Sequence, residues 1–172
     1  FIDRQILVIL QEPIKADLGF SDAQLGLLTG FSFALVYITA GIPIAWLADR
    51  SNRRNIVGAS LAFWSFMTAI SGLVQNFGQL LAARLGVGVG EAGGSPPSHS
   101  MISDYFPPSS RGTALSFYSM GIYIGVLVGF AAGGWIAENF GWRTAFFVIG
   151  IPGILYALVV LWVVKEPKRG QF

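Results

Sequence analysis

The sequence predicts an all-α membrane protein, a bundle of six transmembrane helices, and three observations carry that prediction. Apolar residues fill 53% of the 172 positions against 12% charged, and the mean hydropathy is +0.63. The apolar residues gather into five or six runs of roughly 20, the length a helix needs to cross a hydrocarbon core of about 30 Å. Within those runs polar and apolar residues do not alternate, which excludes the roughly ten-residue strands of a membrane β-barrel.

The formal net charge of +2 and the isoelectric point near 9.2 do not point to nucleic acid. Lys and Arg stand at the ends of apolar runs and form no basic groove lined by stacking aromatics. Cysteine is absent, so a disulfide framework and thiolate metal sites are excluded. No cofactor or metal is expected.

The first helix covers residues 1 to about 15, with Pro13 near its last turn and its beginning expected to precede Phe1. Ser21 or Asp22 can cap the second helix, since either side chain accepts from free first-turn N–H groups, and that helix runs to about Ala48. A charged turn, residues 49–54, leads to a third helix from about Asn55 to Val74. After residues 75–78 a fourth helix continues to about Ser95, where Pro96 and Pro97 are expected to bend or break it. Residues 104–111 leave the membrane. The fifth helix, about 113–137, and the sixth, about 143–164, are joined by a turn at 138–142, and a basic tail follows at 165–169.

Loop charges set the orientation. Arg50, Arg53, Arg54, Arg111, Lys165, Lys168 and Arg169 fall on one side, against Lys15 and Arg143 on the other, so the first set is cytoplasmic.

Asp3, Arg4, Arg84 and Glu91 are charges within apolar runs, where ionised groups are costly and therefore functional candidates. At ~1.5 Å per residue Asp3 lies about 18 Å from Lys15, and Glu91 about 20 Å from both Phe77 and Asp104, so opposite charges of two helices share the midplane. Arg84 and Glu91, seven residues apart, project from one face, which Ser98 continues. That face should line an interior or aqueous cavity. Two readings follow: an ion pair locking helix one to helix four, or a titratable relay in which Asp3 or Glu91 takes up a proton and releases it when an arginine approaches. Glu12 reads as an interfacial carboxylate. Phe31, Phe33, Tyr37, Phe117, Tyr118 and Tyr123 are candidates to line an apolar cavity, and the five tryptophans mostly lie toward run ends, as interfacial anchors do.

Gly121, Gly125, Gly129 and Gly133 form a four-residue stripe for close helix packing. Gly88, Gly90 and Gly93 have the GxGxxG spacing, but they sit inside an apolar helix without a preceding strand, so dinucleotide binding is rejected. Ser98, His99, Ser100 and Asp104 do not make a hydrolase triad; His99 reads as a helix-end residue in a wet vestibule.

The run Ala45-Trp46-Leu47-Ala48-Asp49-Arg50-Ser51-Asn52-Arg53-Arg54 resembles the cytoplasmic signature of the major facilitator superfamily, and Arg84-x-x-x-Gly88-x-Gly90-Glu91-Ala92 resembles its helix-four motif. Ala45 and Asn52 stand where that signature usually has glycine, and the helix-five motif lacks its usual proline. Asp3-Arg4, Asp49-Arg50-x-Asn52-Arg53 and Gly90-Glu91-Ala92 are similar to the Spinster-like branch, which includes lysolipid and sphingosine-phosphate transporters. The resemblance implies that residues 1–172 are the N-terminal six-helix bundle of a twelve-helix fold whose C-terminal bundle is missing. It also implies a multi-pass protein, of the inner membrane if bacterial, that moves a substrate by alternating access and is no enzyme. Asp3 and Glu91 would couple protons. Arg4 and Arg84 would balance charge and attract an anionic headgroup, while Asp49, Arg50, Arg53, Arg54 and Arg111 would gate the cytoplasmic ends of the two bundles. Phe31, Tyr37, Ser98, Tyr118 and Tyr123 would line the cavity for a lipid-like tail. Drugs, sugars or organic anions are the alternative substrates, and a non-transporting structural or regulatory protein is the alternative of another class.

Overall fold

The computed structural model describes residues 2–172, which form nine helical segments: α1 (Ile2–Ile9), α2 (Gln11–Leu18), α3 (Asp22–Thr29), α4 (Phe31–Arg50), α5 (Arg53–Ser71), α6 (Phe77–Ala92), α7 (Ser95–Tyr105), α8 (Pro108–Phe140) and α9 (Trp142–Val163). Three junctions between segments are breaks inside a span, so the nine make six spans. At the first, Pro13 has no N–H to offer the Ile9 carbonyl, and the helix interrupts there. The Leu10 N–H still reaches Ile6 O and the Ile14 N–H reaches Leu10 O, both at 3.0 Å, so the span continues to Leu18 and ends on Gly19 at φ 68°.

The cap of α3 is Ser21 rather than Asp22: its Oγ accepts from the Gln24 N–H while Gln24 Oε1 accepts from the Ser21 N–H at 2.9 Å. Gly30 then breaks the second span. Asn52 caps α5 and Asn76 caps α6, each accepting an N–H three residues on at 3.0 Å.

The fourth span differs from expectation. It breaks at Gly93 and Gly94, not at the prolines, and both glycine N–H groups fall back on 3.0 Å bonds to Gly90 O and Glu91 O. Pro96 and Pro97 lie in the first turn of α7, where a missing N–H costs no helical bond, and the helix runs on to Tyr105. The fifth span is likewise longer than expected, from Pro108 to Phe140, because Pro108 also starts a helix well.

The α5 helix packs most extensively on α9. Glycine permits it: a Cβ on Gly150 would stand 2.5 Å from Ala69 N and 2.7 Å from Ser65 O. On the α8 stripe Gly129 packs on Ile2 of α1 and Gly133 on Ile6 and Ile9. The continuous apolar core lies toward the end where α2 meets the start of α9, built from Ile6, Leu10, Ile14, Leu25, Leu28 and Phe146 among others. By length and composition alone, Asp22–Arg50, Pro108–Phe140 and Trp142–Val163 are apolar enough to cross a membrane, with mean hydropathy 1.8, 1.8 and 2.5. Their outward side chains, such as Ile38, Ile42, Leu127 and Trp162, are exposed as lipid contact requires. Asp3 and Arg4 lie in the first span, and Arg84 and Glu91 in the fourth.

Candidate functional site

Arg84 is the best-buried intramembrane charge, 3% exposed, and it does not pair with a carboxylate. Its Nη1 donates to Asp3 O at 3.4 Å, Nη2 to Arg4 O at 3.1 Å and Nε to Leu28 O at 3.4 Å. One guanidinium thereby ties α6 to α1 and α3 through backbone. The ion pairs among the described residues all lie at helix ends, so the expected lock between helices one and four exists but is made of carbonyls, not carboxylates.

The Phe33 ring, buried, carries both cations: the Arg84 guanidinium lies 4.6 Å and that of Arg4 4.7 Å from its centroid. Tyr37 stacks on Phe33 one helical turn away, ring centres 6.0 Å apart. A cavity of about 240 Å³ opens beside them, lined by Arg4, Tyr37, Glu91, Ser95, Tyr118 and Trp64. Glu91 feels the charges of Arg84, Asp3 and Arg4, yet its Oε1 is buried without a hydrogen-bond partner. A second cavity of about 360 Å³ shares Trp64, Gly94 and Tyr118 with the first. It is lined mostly by apolar side chains, including Val57, Leu61, Met101 and Val160, and reaches Ser98 and Arg54. Asp3 opens onto neither. It lines a third cavity, about 520 Å³, with Trp64 and Ser65.

Of the expected lining residues Tyr37 lines the first cavity, Ser98 the second and Tyr118 both. Phe31 and Tyr123 stand off all three cavities, 71% and 75% exposed. His99 sits in the middle of α7, not at a helix end, exposed and edge-on to Tyr118 with ring centres 5.2 Å apart. The expectation of interfacial anchoring covers Trp64 and Trp142 as well. Trp142 is buried against Phe146, and Trp64 is interior, backed by Gly90 and Gly94 so closely that a Cβ on Gly90 would meet its Cβ at 2.7 Å. No sequence signal separates such a tryptophan from an anchoring one.

At the end of the bundle where α5 begins, Arg53 is 2% exposed. It donates to Asp104 at 2.5 Å, Glu166 at 2.7 Å, Ser100 at 2.8 Å and Pro167 O at 3.2 Å. Within this bundle its donors join α5 to α7 and to the segment after α9. Glu166, hidden in a basic tail, gave no warning of that role. It also accepts from the Arg54 N–H at 2.9 Å. Burial pushes the Glu166 carboxyl up, but that N–H and the Arg53 guanidinium outweigh it and hold the group below its ordinary value. Arg169 caps the end of α4 through Asp49 O at 2.5 Å and Ala48 O at 2.6 Å. Arg111 donates to Ser103 O at 2.8 Å. Arg50, over the Trp46 ring at 3.9 Å, and Asp49 are exposed. Arg54 donates to Asn55 Oδ1 at 2.9 Å.

Among known proteins, residues 1–171 match the family described as Major Facilitator Superfamily. The chain is 38% identical over 164 residues to an MFS-type efflux pump of Mycolicibacterium smegmatis, covering 95% of this chain and 38% of the pump. It is 34% identical over 175 residues to a probable galactarate/D-glucarate transporter, GudP, of Bacillus subtilis, covering 98% of this chain and 38% of that protein. Among solved structures it matches a bacterial homologue of the human lysosomal transporter Spinster, in an inward-facing and occupied conformation, with a TM-score of 0.86 and 40% identity over 98% of this chain and 42% of that one. The chain therefore spans well under half the length of these relatives, which are transporters rather than enzymes.

Proposed function

This chain belongs to the major facilitator superfamily, and on that premise we propose that it is the N-terminal bundle of a proton-linked secondary transporter that moves an amphipathic, anionic, lipid-like substrate by alternating access. The protein is an integral membrane protein by family; its placement in a bacterial inner membrane belongs to the proposal. The observation that carries the reading is a pair of carboxylates, Asp3 and Glu91, each with one buried oxygen lacking a hydrogen-bond partner and neither in an ion pair among the described residues. Taking a proton there breaks no ion pair among those residues. Arg4 faces the same cavity as Glu91 and offers a guanidinium to an anionic headgroup. The adjoining apolar cavity gives a hydrocarbon tail somewhere to go. Rocking of this bundle against a second one would expose the two cavities alternately.

The likeness to GudP favours a second reading, a small dicarboxylate or sugar acid held at Arg4 without a tail. The complete transporter in liposomes separates the two. Uptake of labelled lysophosphatidylglycerol and of labelled galactarate is measured with and without an inward proton gradient. Gradient-driven lysolipid uptake that Glu91→Gln and Asp3→Asn abolish supports the proposal. Galactarate uptake alone selects the second reading, and wild-type uptake by both variants refutes proton coupling through these residues.

A further inference from the structure

Two arginines share one aromatic ring, and they are held in different ways. Arg84 spends its donors on the carbonyls of Asp3, Arg4 and Leu28, so its guanidinium is fixed to backbone. Arg4 is in no ion pair among the described residues. What holds its guanidinium is the ring of Phe33, 4.7 Å away at the centroid.

That ring is itself boxed in. Phe33 is 1% exposed, and Tyr37 stacks on it with the two planes 22° apart. The α6 backbone lies against it at Gly88, where a Cβ would stand 3.4 Å from Phe33 Cδ2. A ring with so little room cannot follow the cation, so the cation takes its position from the ring.

An aromatic face suits an arginine that has to bind a ligand. Its quadrupole attracts the cation as a whole, and more strongly out of water than in it. A carboxylate in the place of Phe33 would saturate two of the five guanidinium donors and compete with any anionic ligand. The ring leaves those donors for the two oxygens of a carboxylate or phosphate, the bidentate pairing that a guanidinium favours. Arg84 on the same ring adds to the preference: like charges at close range repel, and an anion at Arg4 relieves that repulsion. Tyr37 lines the cavity that Arg4 and Glu91 also line, so the two stacked rings reach from the locked cation to the ligand space.

We propose that Phe33 is a positioning residue for anion recognition, its ring presenting the Arg4 guanidinium, with donors unspent, to the carboxylate or phosphate of the substrate in the cavity shared with Glu91 and Tyr37. The role rests on the reading of Arg4 as the anion-binding cation given above, and it serves a lysolipid and a sugar acid alike. Preorganisation of this kind lowers the cost of binding, so it belongs in KM and not in the maximal rate.

The test uses the complete transporter in liposomes, with Phe33 replaced in turn by mono-, di- and trifluorinated phenylalanine. Each fluorine withdraws charge from the ring face with little change of shape, so the series weakens the hold on the cation without emptying the site. KM is measured for labelled lysophosphatidylglycerol and labelled galactarate. For whichever anion the wild type carries, KM should climb with every fluorine, to about fivefold with three, at an unchanged maximal rate and an unchanged thermal midpoint. A KM that stays level across the series in an active transporter overturns the role alone. So does a maximal rate or thermal midpoint that falls in step with the rise in KM, which would make Phe33 a packing residue. A wild type that carries neither anion overturns the anionic-substrate reading together with the role.

Discussion

A guanidinium has five N–H donors and no acceptor, and Arg84 spends its donors on three backbone carbonyls of two other spans. Lysine keeps the charge but not the fork. Arg84→Lys should therefore fold yet lose on the order of 2–3 kcal/mol, since each hydrogen bond from a charged group is worth roughly 1.5–3 kcal/mol. A lowered thermal midpoint in detergent would register it, and an unchanged one would show the carbonyl contacts to be weak. Glu166 yields a pH prediction. A carboxyl held low in the folded state contributes stability above its unfolded value and loses it as the pH falls through the folded value, so the window lies below about pH 4.3. Wild-type stability should drop there, and Glu166→Gln should flatten part of that drop in thermal scans run from neutral to acid. Asp3, Arg4, Arg84 and Glu91 were legible because a charge in an apolar run stands out against its neighbours. Trp64 and Ser65 were not: neither residue type is foreign to a membrane helix, and only the packing against Gly90 and Gly153 shows where they point.

Helix existence was legible from run length, and all six spans form close to their expected places. Their breaks were harder to read. Pro96 and Pro97 looked like breakers, but a proline in a first turn loses no helical bond, so the adjacent glycines yield first. Glycine spacing says that close approach is possible; the partner helix decides where it happens, as α1 does at Gly129 and Gly133. Gly150→Ala on α9 must push against backbone of α5 and should cost about 1–3 kcal/mol, as overpacking does. Gly134→Ala on α8 meets nothing within 4 Å and should be neutral or gain up to about 1 kcal/mol from helix propensity. Thermal unfolding of the two variants side by side measures the contrast, and equal losses would contradict this packing.

The orientation of the whole bundle rests on the distribution of basic residues, and the absence of cysteine makes it easy to examine. Single cysteines at Ser51 and Asn139 should label from opposite faces of sealed vesicles with an impermeant maleimide, Ser51 from the cytoplasmic face. Labelling of both from one side would reverse or refute the topology. The sites at the two ends are also built differently. At one end Arg143 joins Asp17 and Val74 O, with the Trp142 indole N–H donating to Asp17 at 3.1 Å. At the other, Arg53 gathers α5, α7 and the tail beyond α9.

The apolar core gathered around Ile6, Leu10, Ile14, Leu28, Leu80 and Phe146 has a mechanical consequence. Helices clamped by close packing do not slide past one another cheaply, so α1, α2, α3, α6 and α9 should travel as one stiff piece wherever the bundle is pushed.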